Sequence, residues 1–322
     1  MFLKIVLLLI GLLLIVAGAN YLVDGASDVS RRLGVSEFVI GLTIVGMGTS
    51  APEMVVSIIG AIQGKGDIAV GNVIGSNIFN TLLILGLTAI LLPVELAKEN
   101  RRRDIPMNIL ITALFVAMAM KNTLFGVGED GLTRMDGVML LLLFACYMWV
   151  CFHTDRQQTV ETEVHPEKTR GTWLSVLMIV GGLAALVIGG NLFVDSATEL
   201  AGMWGLSDKF IAVTILAGGT SLPELATCVA AAAKKKDQLA LGNIIGSNLF
   251  NILLILGTSA LIRPFTLSGV TGWDMGVLIA SAVLLLACSL LQTGKKYELG
   301  RAGGLVFLLT WTAYMALIIS KI

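Results

Sequence analysis

Long apolar runs separated by short polar segments make up most of the chain. Ten of these runs have about the 20 residues that a membrane-spanning helix needs. They lie at 2–23, 37–62, 68–92, 104–121, 135–153, 173–194, 208–233, 239–262, 272–291 and 303–320. The most polar segment, 154–171, separates the first five runs from the last five. The pattern predicts an all-α membrane protein with ten transmembrane helices.

Composition agrees with this prediction. The 322 residues are 56% hydrophobic and 14% charged, whereas soluble domains have about 25% charged residues. Lys and Arg together number 22, as do Asp and Glu, so the net charge is zero. No charge excess favours a nucleic-acid partner. The lipid bilayer is the expected partner, and no obligate protein partner is evident.

The two sets of five helices carry the same motifs, 171 positions apart. GTSAPE at 48–53 returns as GTSLPE at 219–224, and GNVIGSNIFN at 71–80 returns as GNIIGSNLFN at 242–251. The segment 18–24 matches 189–195 at the same offset. The first apolar run therefore belongs to the repeat and is not interpreted as a cleaved signal peptide.

We predict a first repeat at 1–153, a linker at 154–171 and a second repeat at 172–322. The loops after helices 1, 3, 5, 7 and 9 hold 15 of the 22 Lys and Arg residues. The positive-inside rule puts these loops in the cytoplasm, with both termini outside. Because five is an odd number, the second repeat enters the membrane from the opposite side. Such inverted repeats are typical of secondary transporters, which bind their substrate near the midplane.

Glu53 and Glu224 lie near the middle of the second and seventh predicted helices. A charged side chain there costs at least about 2.5–3.5 kcal/mol, so two at equivalent positions indicate function. Neither helix has Lys or Arg near its middle, which makes a cation the expected partner. Pro52 and Pro223 precede the two glutamates. Because proline breaks the helical hydrogen bonding, it should free carbonyl oxygens beside each carboxylate.

Hydroxyl and amide side chains accompany both glutamates. They are Thr49, Ser50, Ser76 and Asn80 in the first repeat, and Thr220, Ser221, Ser247 and Asn251 in the second. Hard cations such as Ca²⁺ and Na⁺ prefer a set of ligands made of oxygen atoms alone. Four more amides, Asn72, Asn77, Asn243 and Asn248, are equally consistent with ligands and with helix contacts. We interpret Asp24 and Asp195, at the predicted ends of helices 1 and 6, as caps.

At these motifs the chain resembles the calcium/cation antiporter superfamily, and within it the prokaryotic sodium/calcium exchangers. The segments 41–92 and 212–263 are similar to the two α-repeats of that family, and the resemblance covers essentially the whole chain. It implies the exchanger fold, antiport by alternating access and a bacterial-type plasma (inner) membrane location. The transported ions would be Ca²⁺ and Na⁺, with no cofactor.

The resemblance also implies a set of ion ligands. Ca²⁺ would bind the carboxylates of Glu53 and Glu224 and the backbone carbonyls of Thr49 and Thr220. Na⁺ would add oxygen atoms of Ser50, Ser76, Ser221 and Ser247 and the carbonyls of Gly46 and Ala217, with Asn80 and Asn251 flanking the centre. In the family, helices 1 and 6 slide across the rest of the protein, and Gly18, Gly189 and Gly190 would suit that contact.

Some family members have Asp at the position of Asn251. With Asn there, this chain has two carboxylates at the centre and not three, which argues against dependence on K⁺. One Ca²⁺ or two Na⁺ would neutralise the formal charge of −2, and a third Na⁺ would make exchange electrogenic. Two other functions stay open, a cation/proton antiporter for Ca²⁺ or Mn²⁺ and a passive cation channel. An enzyme is not expected, since the sequence has no nucleophile–base pair or metal triad.

Overall fold

A computed structural model describes residues 1–159, 171–204, 217–267, 269–290, 292–293 and 296–320. These residues are mostly helical. The helices are α1 Phe2–Leu33, α2 Glu37–Thr49, α3 Ala51–Ile62, α4 Gly66–Leu91, α5 Ile105–Ala119, α6 Lys121–Phe125, α7 Arg134–Thr159, α8 Thr172–Met203, α9 Ala217–Gly219, α10 Leu222–Ala233, α11 Asp237–Ile262, α12 Gly272–Ser289 and α13 Arg301–Ser320. The strands are β1 Val94–Glu95, β2 Gly131–Leu132, β3 Phe265–Thr266, β4 Gln292–Thr293 and β5 Lys296–Leu299.

Seven of the described helices are long and apolar enough to cross a membrane, namely α1, α4, α7, α8, α11, α12 and α13. The bent pair of α2 and α3 makes an eighth span when taken together. Helix α5 has 15 residues and directly follows a π-helical turn, Asn100–Asp104, which contains three arginines. The predicted seventh span begins in the segment 205–216, outside the described residues, as does most of the predicted linker 154–171. The count of ten therefore stays a prediction.

Helices α1 and α8 are longer than predicted. We expected them to end at 23 and 194, but they continue to Leu33 and Met203. The apolar pattern stops at Asp24, whereas the backbone stays helical until Gly34, which has a φ of 59° and ends α1 in the left-handed conformation. Asp24 and Asp195 thus lie inside their helices, and the interpretation of these residues as caps is wrong.

Two bends interrupt the helices that carry the glutamates. Helices α2 and α3 meet at an angle of 50° at Ser50, where φ is −81° and ψ is 9°. Ser221, before α10, has nearly the same values of −89° and 8°. Pro52 and Pro223 occupy the first turn after each bend, where a missing N–H is tolerated. The bend beside Pro52 confirms that the first of these helices opens there, and a new helix starts after each serine. The freeing of carbonyl oxygens beside the carboxylates stays a prediction.

The contact between α1 and α8 relates the two halves of the chain. A Cβ atom added at Gly11 would lie 2.8 Å from the carbonyl oxygen of Gly189, and one added at Gly18 would lie 2.7 Å from that of Gly182. By the 171-residue repeat, positions 11 and 18 correspond to 182 and 189. Each position therefore contacts the equivalent of the other, and the helices run antiparallel. This is the arrangement expected of inverted repeats.

The same contact corrects the role expected for two glycines. The missing side chains of Gly18 and Gly189 leave space for the backbone of the partner helix, and not for sliding against the rest of the protein. A Cβ atom added at Gly190 would meet no described atom of another element within 4 Å. Since the backbones of α1 and α8 touch along their length, the two helices form one packed unit.

Helices α4 and α11 form the centre of the bundle, and α11 is almost completely buried. Each contains a π-helical turn at an equivalent position, Phe79–Ile84 in α4 and Asn251–Leu256 in α11. A π-turn holds an extra residue and is frequent at functional sites. These two turns start beside Asn80 and at Asn251, so they set the direction of both side chains.

Short antiparallel sheets join loops at the two ends of α5. Strands β1, β5 and β4 form one sheet, in which Val94 pairs with Leu299. The guanidinium carbon of Arg101 lies 3.5 Å from the centre of the Tyr297 ring on β5. Strands β2 and β3 form the other sheet, in which Leu132 pairs with Phe265. The sheets fix the loops and leave the central helices to form the site.

Candidate functional site

The two glutamates lie in the first turns of α3 and α10, and neither is exposed. Each accepts a hydrogen bond from the other half of the protein. Ser221 Oγ donates to Glu53 Oε1 at 3.0 Å, and Ser50 Oγ donates to Glu224 Oε1 at 2.8 Å. The partial positive charge of a helix N-terminus also favours a carboxylate at this position. The bends thus bring both carboxylates into one shared centre.

Each carboxylate also accepts a hydrogen bond from a serine of the same half of the protein. Ser76 Oγ donates to Glu53 Oε1 at 3.3 Å, and Ser247 Oγ donates to Glu224 Oε1 at 3.5 Å. All the predicted serine ligands therefore contact a glutamate in this structure. On each glutamate, both hydroxyls point to the same oxygen atom, Oε1.

Four buried oxygen atoms at this centre have no hydrogen-bond donor among the described residues. They are Oε2 of Glu53, Oε2 of Glu224, Oδ1 of Asn80 and Oδ1 of Asn251. A buried acceptor without a partner costs about 1–3 kcal/mol, and more if it is charged. Four such atoms at positions related by the repeat suit a positively charged ligand, because a cation would satisfy all of them.

The central asparagines are oriented by contacts between the halves. Asn251 Nδ2 donates to Asn77 Oδ1 at 2.9 Å, and the equivalent bond runs from Asn80 Nδ2 to Asn248 Oδ1 at 3.3 Å. Asn77 and Asn248 thus contact helices, one of the two roles left open for them. Because the NH₂ groups of Asn80 and Asn251 are used in this way, only their carbonyl oxygens are available to a ligand.

The threonines differ between the halves, although their positions are equivalent. Thr49 Oγ1 donates to Asn243 Oδ1 at 3.1 Å. Its equivalent Thr220 has no hydrogen-bond partner for Oγ1 within the described part of the chain. The matching acceptor would be Oδ1 of Asn72, whose Nδ2 donates to the backbone carbonyl of Glu53 at 3.2 Å. The Thr49–Asn243 contact was not predicted, because the two residues belong to different halves and the sequence does not show how the halves pack together.

The two predicted carbonyl ligands are known to different extents. The carbonyl oxygen of Gly46 lies 3.4 Å from the hydroxyl oxygens of both Thr49 and Ser247, so it lies at the centre. Ala217 begins the short helix α9, and its side chain lies outside the described residues.

A cavity of about 300 Å³ lies at one end of the bundle, beside the prolines that precede Glu53 and Glu224. Its polar and proline lining residues are Pro52, Asn72, Asn191, Asp195, Thr220 and Pro223. The cavity also meets Val194. At the other end, the residues equivalent to Val194, Thr220 and Asn72 are completely buried; they are Val23, Thr49 and Asn243. We call the end at Asp195 the open end and the end at Asp24 the closed end. Neither glutamate lines this cavity or the two larger ones, each of about 630 Å³.

The donor atoms of the site are carboxylate, amide, hydroxyl and carbonyl oxygens. No group of three or more His, Cys, Asp or Glu side chains that could hold a metal ion occurs among the described residues, so a thiolate or imidazole site is not built here. Hard cations suit this set of atoms. The arrangement resembles neither a hydrolytic nor a redox centre.

Comparison with known proteins agrees with this chemistry. A family model described as sodium/calcium exchanger protein matches residues 3–153 and 174–320. The chain belongs to this family. It is 39% identical to the putative antiporter CaxA of Alkalimonas amylolytica over 98% of both chains. It is 32% identical to the sodium/calcium exchanger MaX1 of Methanosarcina acetivorans over 97% of both.

Its fold is similar to that of the sodium-calcium exchanger NCX_Mj, solved from crystals soaked with Na⁺ and Sr²⁺. The TM-score is 0.83 and the identity 31%, over 98% of each chain. The resemblance stated from the motifs is thus confirmed, as is the all-α exchanger fold with inverted repeats. The protein is an integral, multi-pass membrane transporter and not an enzyme. Na⁺ and Ca²⁺ are the cargo of this family and not cofactors.

Proposed function

We propose that the protein exchanges Ca²⁺ for Na⁺ across the membrane by alternating access. The observation that carries this proposal is the set of four buried oxygen atoms without a donor, two of them on carboxylates. A carboxylate in a membrane is costly unless a charge of opposite sign neutralises it. Carboxylate and amide oxygens are ligands that Ca²⁺ accepts readily.

In this proposal, Ca²⁺ binds the carboxylates of Glu53 and Glu224, with the backbone carbonyls of Thr49 and Thr220. Na⁺ ions share the carboxylates. Their further ligands are the hydroxyls of Ser50, Ser76, Ser221 and Ser247 and the carbonyls of Gly46 and Ala217, with Asn80 and Asn251 beside the centre. A hydroxyl that donates to a free carboxylate can rotate and offer its lone pairs to a cation. The serines therefore serve the site both with and without Na⁺.

Charge balance favours electrogenic exchange that does not need K⁺. Two carboxylates carry −2, which one Ca²⁺ or two Na⁺ neutralise, and a third Na⁺ leaves +1. Because Asn251 is neutral, the centre has no third negative charge to compensate an additional K⁺. A neutralised site can cross the low-dielectric interior, whereas an empty site with charge −2 is costly to bury. Movement is thereby coupled to occupancy.

The difference between the two ends of the bundle supports alternating access. The cavity meets Thr220 at the open end, while Thr49 bonds Asn243 at the closed end. By the two-fold relation of the repeats, the opposite state would close Thr220 onto Asn72 and separate Thr49 from Asn243. The protein would then present the same site to the other side of the membrane.

The orientation follows from the positive-inside rule. The closed end carries Lys234, Lys235 and Lys236, so we assign it to the cytoplasm. Both termini are then outside, and the cavity beside Thr220 faces the outside. We further propose that the repeats 1–153 and 172–322 are joined by a cytoplasmic linker at 154–171. The location is the inner membrane, with no obligate protein partner.

Transport by the purified protein in liposomes tests this function. Vesicles loaded with Na⁺ and diluted into choline are expected to accumulate ⁴⁵Ca²⁺ against its gradient, and vesicles loaded with choline are not. An inside-positive potential should speed this uptake, because net positive charge leaves the vesicle. Removing K⁺ should have no effect. Uptake driven by a pH gradient alone would indicate a cation/proton antiporter, and failure of Na⁺ to drive Ca²⁺ uphill would indicate a channel.

A further inference from the structure

One ion pair distinguishes the closed end of the site from the open end. Lys234 Nζ lies 2.6 Å from Asp24 Oδ1 and also donates to the carbonyl oxygen of Asn20 at 3.0 Å. Lys234 follows the last residue of α10, while Asp24 and Asn20 are on α1. Both charged side chains are partly buried. The contact therefore holds the end of α10 against α1.

The open end lacks the lysine of this contact. Asn191 and Asp195 on α8 occupy the positions that correspond to the two α1 residues, and both line the cavity. The position of Lys234 is occupied by Gln63, which is exposed and has no charge. No hydrogen bond or ion pair of the Asp195 side chain occurs within the described parts of the chain. The repeat thus supplies the acceptor at both ends but the cation at one end only.

A neighbouring ion pair has charged residues at the equivalent positions of both halves. Lys236 Nζ lies 2.5 Å from Glu37 Oε1 at the closed end. The positions equivalent to these two residues hold Lys65 and Asp208, so both charges are kept, although Asp208 lies outside the described residues. Lys234 and Lys236 both form ion pairs at the closed end. At the open end, the position equivalent to Lys236 keeps a lysine, whereas the position equivalent to Lys234 holds an uncharged glutamine.

We propose that the Lys234–Asp24 ion pair is a one-sided latch that closes the cytoplasmic end and biases the exchanger toward its outward-open state. This inference rests on the alternating access proposed above. Opening the cytoplasmic end separates α1 from α10 and breaks the pair, and Gln63 cannot form its equivalent when the outer end closes. The pair therefore stabilises one state only. A partly exposed ion pair shifts such an equilibrium by about two- to fivefold.

Labelling of single cysteines measures this bias. Val23 and Val194 are equivalent in the repeat; Val23 is completely buried at the closed end, and Val194 lines the cavity. Val23→Cys and Val194→Cys, each in the full chain with the four native cysteines replaced, report the two ends. Lys234→Gln gives the closed end the residue that the open end has. It should raise the labelling rate of Val23→Cys about two- to fivefold, with Val194→Cys still labelled.

Three variants complete the test. Lys235→Gln removes the same charge from an exposed neighbour that has no described ion pair and should leave both rates unchanged. Lys234→Arg keeps the cation and should behave as the unmodified residue. Gln63→Lys offers Asp195 a lysine when the outer end closes and should raise labelling of Val23→Cys by a similar factor.

The outcomes separate the latch from the proposed function. If Lys234→Gln and Gln63→Lys both transport Ca²⁺ in exchange for Na⁺ but leave labelling of Val23→Cys unchanged, the latch is wrong. A larger effect of Lys235→Gln than of Lys234→Gln would also overturn it. If the unmodified protein shows no Na⁺-driven Ca²⁺ uptake, the proposed function itself fails.

Discussion

Two adjacent glycines of α8 test the packing between the repeats. A Cβ atom at Gly182 would lie 2.8 Å from both the carbonyl oxygen of Gly18 and the amide nitrogen of Leu22, whereas one at Gly181 would meet nothing within 4 Å among the described residues. Backbone atoms cannot rotate away, so Gly182→Ala must push α1 and α8 apart. Overpacking costs about 1–3 kcal/mol. Both variants gain the same helix propensity, so this cost is the expected difference between them.

Thermal unfolding in detergent measures that difference. The unfolding entropy is about 2.1 cal/mol/K per residue, so for 322 residues each kcal/mol corresponds to about 1.5 °C. Gly182→Ala is therefore expected to have a Tm about 1.5–4.5 °C below that of Gly181→Ala. Equal Tm values would refute the close approach of α1 and α8, and with it the antiparallel contact that relates the two halves.

Two further predictions concern hydrogen bonds and ion pairs. Ser50→Ala leaves its carboxylate partner a donor at 3.5 Å, and Ser221→Ala leaves one at 3.3 Å. In ion-free buffer both variants should lose up to about 1.5–3 kcal/mol of stability, and Ser50→Ala should lose more than Ser221→Ala. Saturating Ca²⁺ should bring the stabilities of the two variants closer together. A difference between them that Ca²⁺ leaves unchanged would contradict this prediction. Arg103 lies 2.8 Å from the buried carboxylate of Asp104, so Arg103→Met should cost about 3–5 kcal/mol. Arg102→Met makes the same change at an exposed position and should alter the stability by no more than about 0.5 kcal/mol. Equal unfolding temperatures of the two variants would contradict the stabilising role of the Arg103–Asp104 pair.

The sequence predicts best what depends on neighbouring residues or on the repeat itself. Proline chemistry is local, so the bend before Glu53 could be foreseen from Pro52 alone. The inverted relation of the halves followed from an odd helix count and from the distribution of Lys and Arg. The repeated motifs also grouped the serines and asparagines with the glutamates. Those residues are close together in the structure, although their role as ion ligands is still a proposal.

Other features depend on how the halves meet in space, and a linear pattern does not contain that information. Helical periodicity puts Ser50 near Glu53, but the Ser50 hydroxyl bonds Glu224 of the other half. The π-turns in α4 and α11 were not predicted, because the apolar pattern does not distinguish a π-turn from an α-helical turn. The apolar pattern ended α1 too early because it stops at a charge, Asp24, whose partner Lys234 is 210 residues away.

The central claim is that Glu53 and Glu224 together form the binding site for both ions. It is tested most directly by Na⁺-driven ⁴⁵Ca²⁺ uptake into liposomes containing Glu53→Gln, Glu224→Gln or Glu129→Gln. Glu129 is an exposed loop residue, so its variant controls for the same chemical change. We predict that both site variants lose uptake, since each removes half of the charge of the site, while Glu129→Gln keeps it. Full uptake by both Glu53→Gln and Glu224→Gln would contradict the account.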